Sequence, residues 1–268
     1  MDAPRIAELL QPFLTARAPT TAAKPLSFRA GFSREQSASL SPSQLQQIST
    51  YINLLLRWNA RINLTSVRDP EAIVSRHFGE SLFAARHLLP TTTCVGAAAS
   101  PAHRSVEPDL RMPHPARFSQ GGHLTNDQRP ITYDRLTDLG SGAGFPGLPI
   151  KIWEPHIHLT LIESNQKKAT FLREVARALT LTDINVFSGR ADDIPAAQAD
   201  IVTLRAVERY DQELPAAARL LAPGGRLALL IGQAQVARTH ALLPEFLWSE
   251  PVPIPSSSNR ILLLGRQT

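Results

Sequence analysis

The stretch Arg135-Leu-Thr-Asp-Leu-Gly-Ser-Gly-Ala-Gly-Phe-Pro-Gly-Leu-Pro-Ile150 leaves few folds open to this chain. An apolar run ends at Asp138 and Leu139, glycines follow at the alternate positions Gly140, Gly142 and Gly144, and Pro146 stands where a helix would begin. The pattern predicts a strand, a glycine-rich turn and a helix N-terminus. Glycine lets the backbone take a positive φ and lets a ligand come close with no Cβ in the way. A proline in the first turn of a helix loses no N–H that the helix needs.

Two ligand classes use such a turn. Gly142, Gly144 and Gly147 satisfy the G-x-G-x-x-G spacing of dinucleotide binders, which seat a pyrophosphate on the helix N-terminus. The longer string, with Asp138 two residues before Gly140, suits the S-adenosylmethionine turn of methyltransferases, because a carboxylate complements a cationic cofactor. The plain alternative is a tight connection with no ligand.

Beyond the turn, strand and helix signals alternate. The spacing predicts a helix over 146–153, a buried strand His158–Glu163 closing on an acid, and a helix from Asn165 to Leu179. Strands follow at Ile184–Phe187 and Ile201–Leu204, then a helix over 211–222 stopped by Pro223-Gly224-Gly225, then a strand Arg226–Ile231. Two last strands near Leu247–Ile254 and Ile261–Gly265 close the chain as an antiparallel edge. The fold class is therefore α/β, with a mostly parallel, seven-stranded sheet that carries its ligands at the carboxyl ends of the strands.

That geometry nominates further site residues. Glu163 ends the second strand 21 residues after Gly142, where an acid accepts hydrogen bonds from ribose hydroxyls in either cofactor class. Asp192, in Gly189-Arg-Ala-Asp-Asp193, would face the base end of a nucleoside, or serve only as a turn aspartate. Arg205 follows the fourth strand, where a guanidinium can hold a carboxylate, a phosphate or a guanine edge. Lys167 and Lys168 open a helix, a position the helix dipole does not favour for lysine.

The rest of the chain divides by composition. Residues 1–40 read as a loose N-terminal extension. Ser41-Pro42 starts a helix carrying Leu45, Ile48, Ile52, Leu55 and Leu56. Asp69-Pro70 starts a second, and Leu82, Phe83 and Leu88 suggest a third, so 41–90 is a helical unit packed on the core. Residues 91–133 are rich in proline and small residues and read as a flexible insertion, leaving 134–268 as the sheet domain.

The net charge is +5, yet residues 134–268 hold 14 basic and 14 acidic residues, so an anionic partner such as nucleic acid would meet the first third. Cys94 is the single cysteine, which excludes a disulfide framework and a cysteine metal cluster. His103, His114 and His123 are spaced too widely for a metal site. There is no apolar run long enough to cross a membrane, and a reducing, cytoplasmic setting fits. Nothing in the sequence specifies an oligomeric state.

Together these segments resemble the ribosomal RNA small subunit methyltransferase G family, also called glucose-inhibited division protein B. The resemblance is carried by Trp58-Asn-x-x-Ile-Asn-Leu-Thr-Ser-Val-Arg68-Asp-Pro70, Arg76-His77-x-x-x-Ser81, Thr137 to Pro149, Leu161-Ile-Glu-Ser-x-x-Lys-Lys168, Phe171-Leu-Arg173, Gly189-Arg-Ala-Asp192 and Arg205-Ala206. It covers about residues 41–90 and 134–268. It implies a Rossmann-like S-adenosylmethionine-dependent methyltransferase fold with an N-terminal helical extension. It also implies methyl transfer from S-adenosyl-L-methionine to guanine N7 in 16S ribosomal RNA, with that RNA or a small-subunit precursor as partner.

Gly140, Phe145, Ala191, Asp192 and Arg205 would be cofactor-site positions by this resemblance, joining Asp138, Ser141, Gly142, Gly144 and Glu163 of the turn and second strand. Arg205 is also the candidate for the catalytic role. Two positions depart from the family pattern: Leu204 stands where it has serine, and Ile231 where it has lysine. The alternatives are a methyltransferase acting on another RNA or a small molecule, a non-catalytic S-adenosylmethionine- or RNA-binding module, and a nicotinamide dehydrogenase.

Overall fold

The computed structural model describes residues 1–15, 39–89 and 135–267. The expected insertion over 91–133 and residues 16–38 of the expected extension lie outside the described residues.

The sheet is built on β1 (Arg135–Leu139), β2 (His158–Ile162), β3 (Ile184–Phe187), β4 (Ala199–Arg205) and β5 (Leu221–Gly232), all parallel. It is completed by β6 (Phe246–Trp248), β7 (Val252–Pro253) and β8 (Arg260–Gln267), and the order is β3-β2-β1-β4-β5-β8-β6 with β7 also on β8. The central strands are apolar on both faces, as parallel strands covered on two sides must be.

Among the described residues the sheet has eight strands where seven were expected, because the segment read as one strand over 247–254 is two. Pro251 has no N–H to donate and interrupts it, and Ser249 bridges the gap by exchanging hydrogen bonds with Leu264. Strand β5 also begins earlier than the sequence suggested. Leu221 pairs with Ala199, the register then shifts around Pro223-Gly224-Gly225, and Arg226 pairs with Ile201. Gly224 takes a φ of +78° there, a conformation that suits glycine.

One face of the sheet packs on α5 (Gly147–Trp153), α6 (Gln166–Ala178) and the N-terminal helices; the other packs on α7 (Tyr210–Leu220) and α8 (Val236–Leu242). The N-terminal helices are α1 (Ala3–Thr15), α2 (Pro42–Asn59), α3 (Pro70–Ile73) and α4 (Glu80–Leu88), the last two joined by a π-helical turn, Val74–Gly79. Ser41 caps α2 through a capping box with Gln44, as the Ser-Pro start predicts.

Two readings of the N-terminal part are corrected. Residues 3–15 are not loose: Ile6, Leu10, Phe13 and Leu14 form a buried stripe at helical spacing. Pro12 disguised it, since proline normally ends a helix, but here it sits near the C-terminal end. The second and third helices read over 69–89 are one unbroken run. Gly79 does not break it, because the glycine is where the Phe13 ring packs: a Cβ there would come within 2.5 Å of Phe13 Cε2.

Candidate active site

A cleft of about 680 Å³ opens over the carboxyl ends of β1, β2, β3 and β4, and the N-terminal helical unit forms its far wall. It lies where the strand order reverses between β1 and β4, the usual ligand position in a doubly wound sheet. Its volume is within the range of small-molecule and cofactor sites.

The turn after β1 is held from three sides. The Gly140 and Ser141 N–H groups both donate to Ile162 O at 3.0 Å, tying the turn to the end of β2. Glu163 then accepts from Gly142 N at 2.8 Å with one oxygen and from Asn165 N at 2.7 Å with the other. The acid therefore fixes the turn and the start of α6 while lining the cleft. The Tyr51 hydroxyl, from α2, donates to Ala143 O.

The three alternate glycines have different jobs. Gly140, Gly142 and Gly144 take φ of +70°, +54° and +89°. A Cβ on Gly142 would meet nothing closer than 3.8 Å, so this residue looks into open cleft. A Cβ on Gly144 would run into the Tyr51 hydroxyl and to 2.5 Å from Leu148 Cδ1, so this glycine serves packing and does not line the cleft.

Asp138 is also behind the turn. It is fully buried, accepts from Thr203 Oγ1 at 2.7 Å and from Gly147 N at 3.2 Å, and does not line the cleft. Burial pushes its carboxyl up to about 6 despite those hydrogen bonds. Its place in the fold is to join β1, β4 and the start of α5. Of the other nominated residues, Gly140, Ser141, Gly142, Phe145, Glu163, Ala191, Asp192 and Arg205 all line the cleft. Ala191 and Asp192 belong to a 3₁₀ turn after β3, with Ala191 buried and Asp192 exposed.

Arg205 is more enclosed than its sequence position suggests. Its side chain, 8% exposed, donates through Nε at 3.2 Å and Nη2 at 3.0 Å to Glu80 Oε2, and through Nη2 to Arg76 O at 2.8 Å. The same Nη2 reaches His77 Nδ1 at 3.0 Å, and the guanidinium lies 6.0 Å over the Phe145 ring. Burial lowers its pKa, and the adjacent Glu80 carboxylate opposes that. Arg260 of β8 approaches Glu80 Oε2 at 3.0 Å too, so one carboxylate faces two guanidinium groups. Arg260 lines the cleft, and its Nε and Nη2 are buried with no hydrogen-bond partner among the described residues.

His77 stacks on Phe145 with centroids 4.7 Å apart, and Phe145 stacks on Tyr51 at 5.3 Å. Burial, with Arg205, Arg76 and Arg260 nearby, pushes the imidazole down to about 3, so it is neutral at ordinary pH. Sequence reasoning did not nominate His77, Glu80, Thr65 or Arg260 as site residues. The segments around Thr65, His77 and Glu80 were visible only as part of a family resemblance, and Arg260 carried no signal. Leu204 and Ile231, the two departures from the family pattern, are buried in the core beneath α7 and do not line the cleft. Among the described residues no group of His, Cys, Asp or Glu is placed to hold a metal ion, and no helix is long and apolar enough to cross a membrane.

A doubly wound α/β sheet with a glycine-rich turn, an acid ending β2 and a cleft at the strand-order switch defines a protein of the nucleoside-cofactor-binding class. Within that class, the profile of the rRNA small subunit methyltransferase G family matches residues 44–96 and 123–253, and the chain belongs to that family. It is 33% identical over 237 residues to the ribosomal RNA small subunit methyltransferase G of Roseiflexus castenholzii, covering 84% of each chain. It is 33% identical to the protein of the same name from Chloroflexus aggregans, covering 84% of this chain and 82% of that one.

Proposed function

We propose that this chain methylates N7 of a guanine in 16S ribosomal RNA, using S-adenosyl-L-methionine, on the RNA itself or on a small-subunit precursor in the cytoplasm. The observation that carries the reading is the cleft itself, in a chain of this family. Its floor is a glycine turn with open space before Gly142, and its edge is a Glu163 carboxylate already oriented by two backbone N–H groups. A cofactor of nucleoside type fits that floor. The Glu163 oxygens keep lone pairs for ribose hydroxyls, Ala191 and Asp192 border the base end, and Gly140, Ser141 and Gly142 let the chain approach closely. Asp138 and Gly144 act from behind by holding the turn in shape.

S-adenosyl-L-methionine supplies an electrophilic methyl on a sulfonium. Guanine N7 has a lone pair and no proton, so the protein has no proton to remove before attack. The side chains agree with that demand. Glu163 is committed to the turn and, in this reading, to the ribose, and His77 Nδ1 faces a guanidinium, so neither is poised as a base. Catalysis then rests on positioning the base against the methyl and excluding water. Arg205 is a positioning residue in this scheme: it clamps the helical wall to the end of β4 through Glu80, Arg76 and His77.

The wall also carries the charge for RNA. Arg57, Arg61, Arg68 and Arg76 are exposed on the helical unit, and Lys168, Arg209 and Arg260 add basic groups at the cleft. N7 lies in the deep major groove of duplex RNA, so the target is a base in a loop or one splayed from its stack. Reduction and aniline cleavage of 16S RNA treated with the protein and cofactor should break the chain at one new guanosine. Labelled methyl incorporated with no cleavage at that site would exclude N7.

A further inference from the structure

The hydrogen bonds behind the cleft dictate where each proton sits. Arg205 Nη2 lies 3.0 Å from His77 Nδ1. A guanidinium presents only hydrogens, shared here among Arg76 O, Glu80 Oε2 and the imidazole, so a hydrogen on Nδ1 would face them and Nδ1 carries none. The imidazole hydrogen is then on Nε2, which lies 2.8 Å from Thr65 Oγ1 and donates to it. The Val67 N–H donates to the same oxygen at 3.1 Å. Two donors occupy both lone pairs of the Thr65 hydroxyl, so its own hydrogen must look for an acceptor elsewhere. Among the described residues it has none, and Thr65 lines the cleft.

The position of Thr65 is held as firmly as its proton. Asn59, at the end of α2, accepts from Leu64 N at 2.9 Å and Thr65 N at 3.0 Å, and donates to Thr65 O at 2.9 Å. Thr65 also belongs to a particular half of the cleft. Glu163 and the 191–193 turn follow β2 and β3, on one side of β1, whereas Thr65 connects through His77 to Arg205 on β4, on the other side. With the cofactor on the first side, the second is left for the base.

We propose that Thr65 is a specificity-determining residue whose hydroxyl donates a hydrogen bond to O6 of the target guanine. This rests on the guanine-N7 reading above. The edge of guanine that carries N7 presents a second acceptor, O6, while adenine presents an N6 amino donor at that place. A hydroxyl that can only donate accepts the first and opposes the second. It also leaves the N7 lone pair free for the methyl. His77 and Arg205 act through Thr65 as positioning residues, because their hydrogen bonds remove the alternative in which the hydroxyl points inward.

The test uses the full chain and small-subunit particles whose 16S RNA carries either guanine or 2-aminopurine at the methylated position. 2-Aminopurine keeps N7 and lacks O6. The wild type should methylate guanine with a kcat/KM about tenfold to a hundredfold above 2-aminopurine, the range expected for one hydrogen bond to a desolvated acceptor. Thr65→Val keeps the shape without the hydroxyl, and should fall on guanine and bring that ratio close to one. Thr65→Ser should restore the ratio. His77→Phe, which retains a ring against Phe145 but frees the hydroxyl from its donor, should lower the ratio in part.

Calorimetric affinity for S-adenosylmethionine should be the same in the wild type and both Thr65 variants, which also verifies that they are folded. A Thr65→Val protein that keeps the wild-type ratio overturns the proposal. So does one that loses cofactor affinity tenfold with the ratio intact, because the hydroxyl would then serve the cofactor. Failure of the underlying reading is distinguishable: the wild type would then place no methyl on guanine N7 in either particle.

Discussion

Gly142 and Gly144 are two residues apart, both have positive φ, and a substitution at each should fail in a different way. For either one, a Cβ in the left-handed region costs about 1–2 kcal/mol. At Gly142 that is the whole structural cost, since a Cβ meets nothing within 3.8 Å. At Gly144 the Cβ would also press into the Tyr51 hydroxyl, Leu148 at 2.5 Å and Leu172 at 3.1 Å, all in the core. Overpacking of that kind adds about 1–3 kcal/mol. Gly144→Ala should therefore lose about 2–5 kcal/mol in total, and Gly142→Ala about 1–2. At this chain length each kcal/mol moves the melting temperature by about 2–4 °C. Calorimetric titration with S-adenosylmethionine should rank them in reverse. Gly142→Val should abolish binding because the side chain fills the cleft, while folded Gly144→Ala at low temperature should bind. The reasoning is refuted if Gly142→Val retains the wild-type affinity, or if Gly144→Ala melts like the wild type while losing the cofactor.

Three further outcomes test the wall and its charges. Glu80, 3% exposed and facing Arg205 and Arg260, should cost about 3–5 kcal/mol when replaced by glutamine, read by denaturant unfolding. His77, pushed down to about 3 from an ordinary value of 6.5, should keep neutral, Nε2-protonated nitrogen shifts by NMR from pH 8 to pH 5. The linkage has a definite sign: the unfolded chain binds the extra proton, so this group's contribution is full above pH 6.5 and is lost as pH falls toward 3. The stability difference between wild type and His77→Asn should shrink over that window. Replacing the exposed Arg57, Arg61, Arg68 and Arg76 by glutamine should weaken RNA binding at low salt and flatten its salt dependence by about one unit of slope per lost phosphate contact. An unchanged slope would place the RNA on another surface.

Local chemistry made most of the sheet legible. Glycines at 140, 142 and 144, a proline at 146 and an acid at 163 each have a backbone reason to stand where they do, and alternating apolar segments defined the five parallel strands. What escaped were features that depend on contact between distant segments. A stripe from Ile6 to Leu14 counts as core only when the π turn at Gly79 receives Phe13. Pro251 splits an edge strand only because β8 can pair with both pieces.

The site divides in the same way. Spacing along the chain put Gly142 and Glu163 in one place, since a parallel strand pair brings the turn after β1 beside the end of β2. The sequence alone thus determined where a cleft would open and that Gly140, Ser141, Gly142 and Glu163 would line it. Only the tertiary structure decided that Asp138 and Gly144 face away from it, that Arg205 is clamped by Glu80, and that His77 and Thr65 form the opposite wall. The reason is that a proton's place on Thr65 depends on Arg205, 140 residues away in the chain, and hydrogen-bond direction is inherited through space from groups that cannot accept, the Arg205 guanidinium and the Val67 N–H.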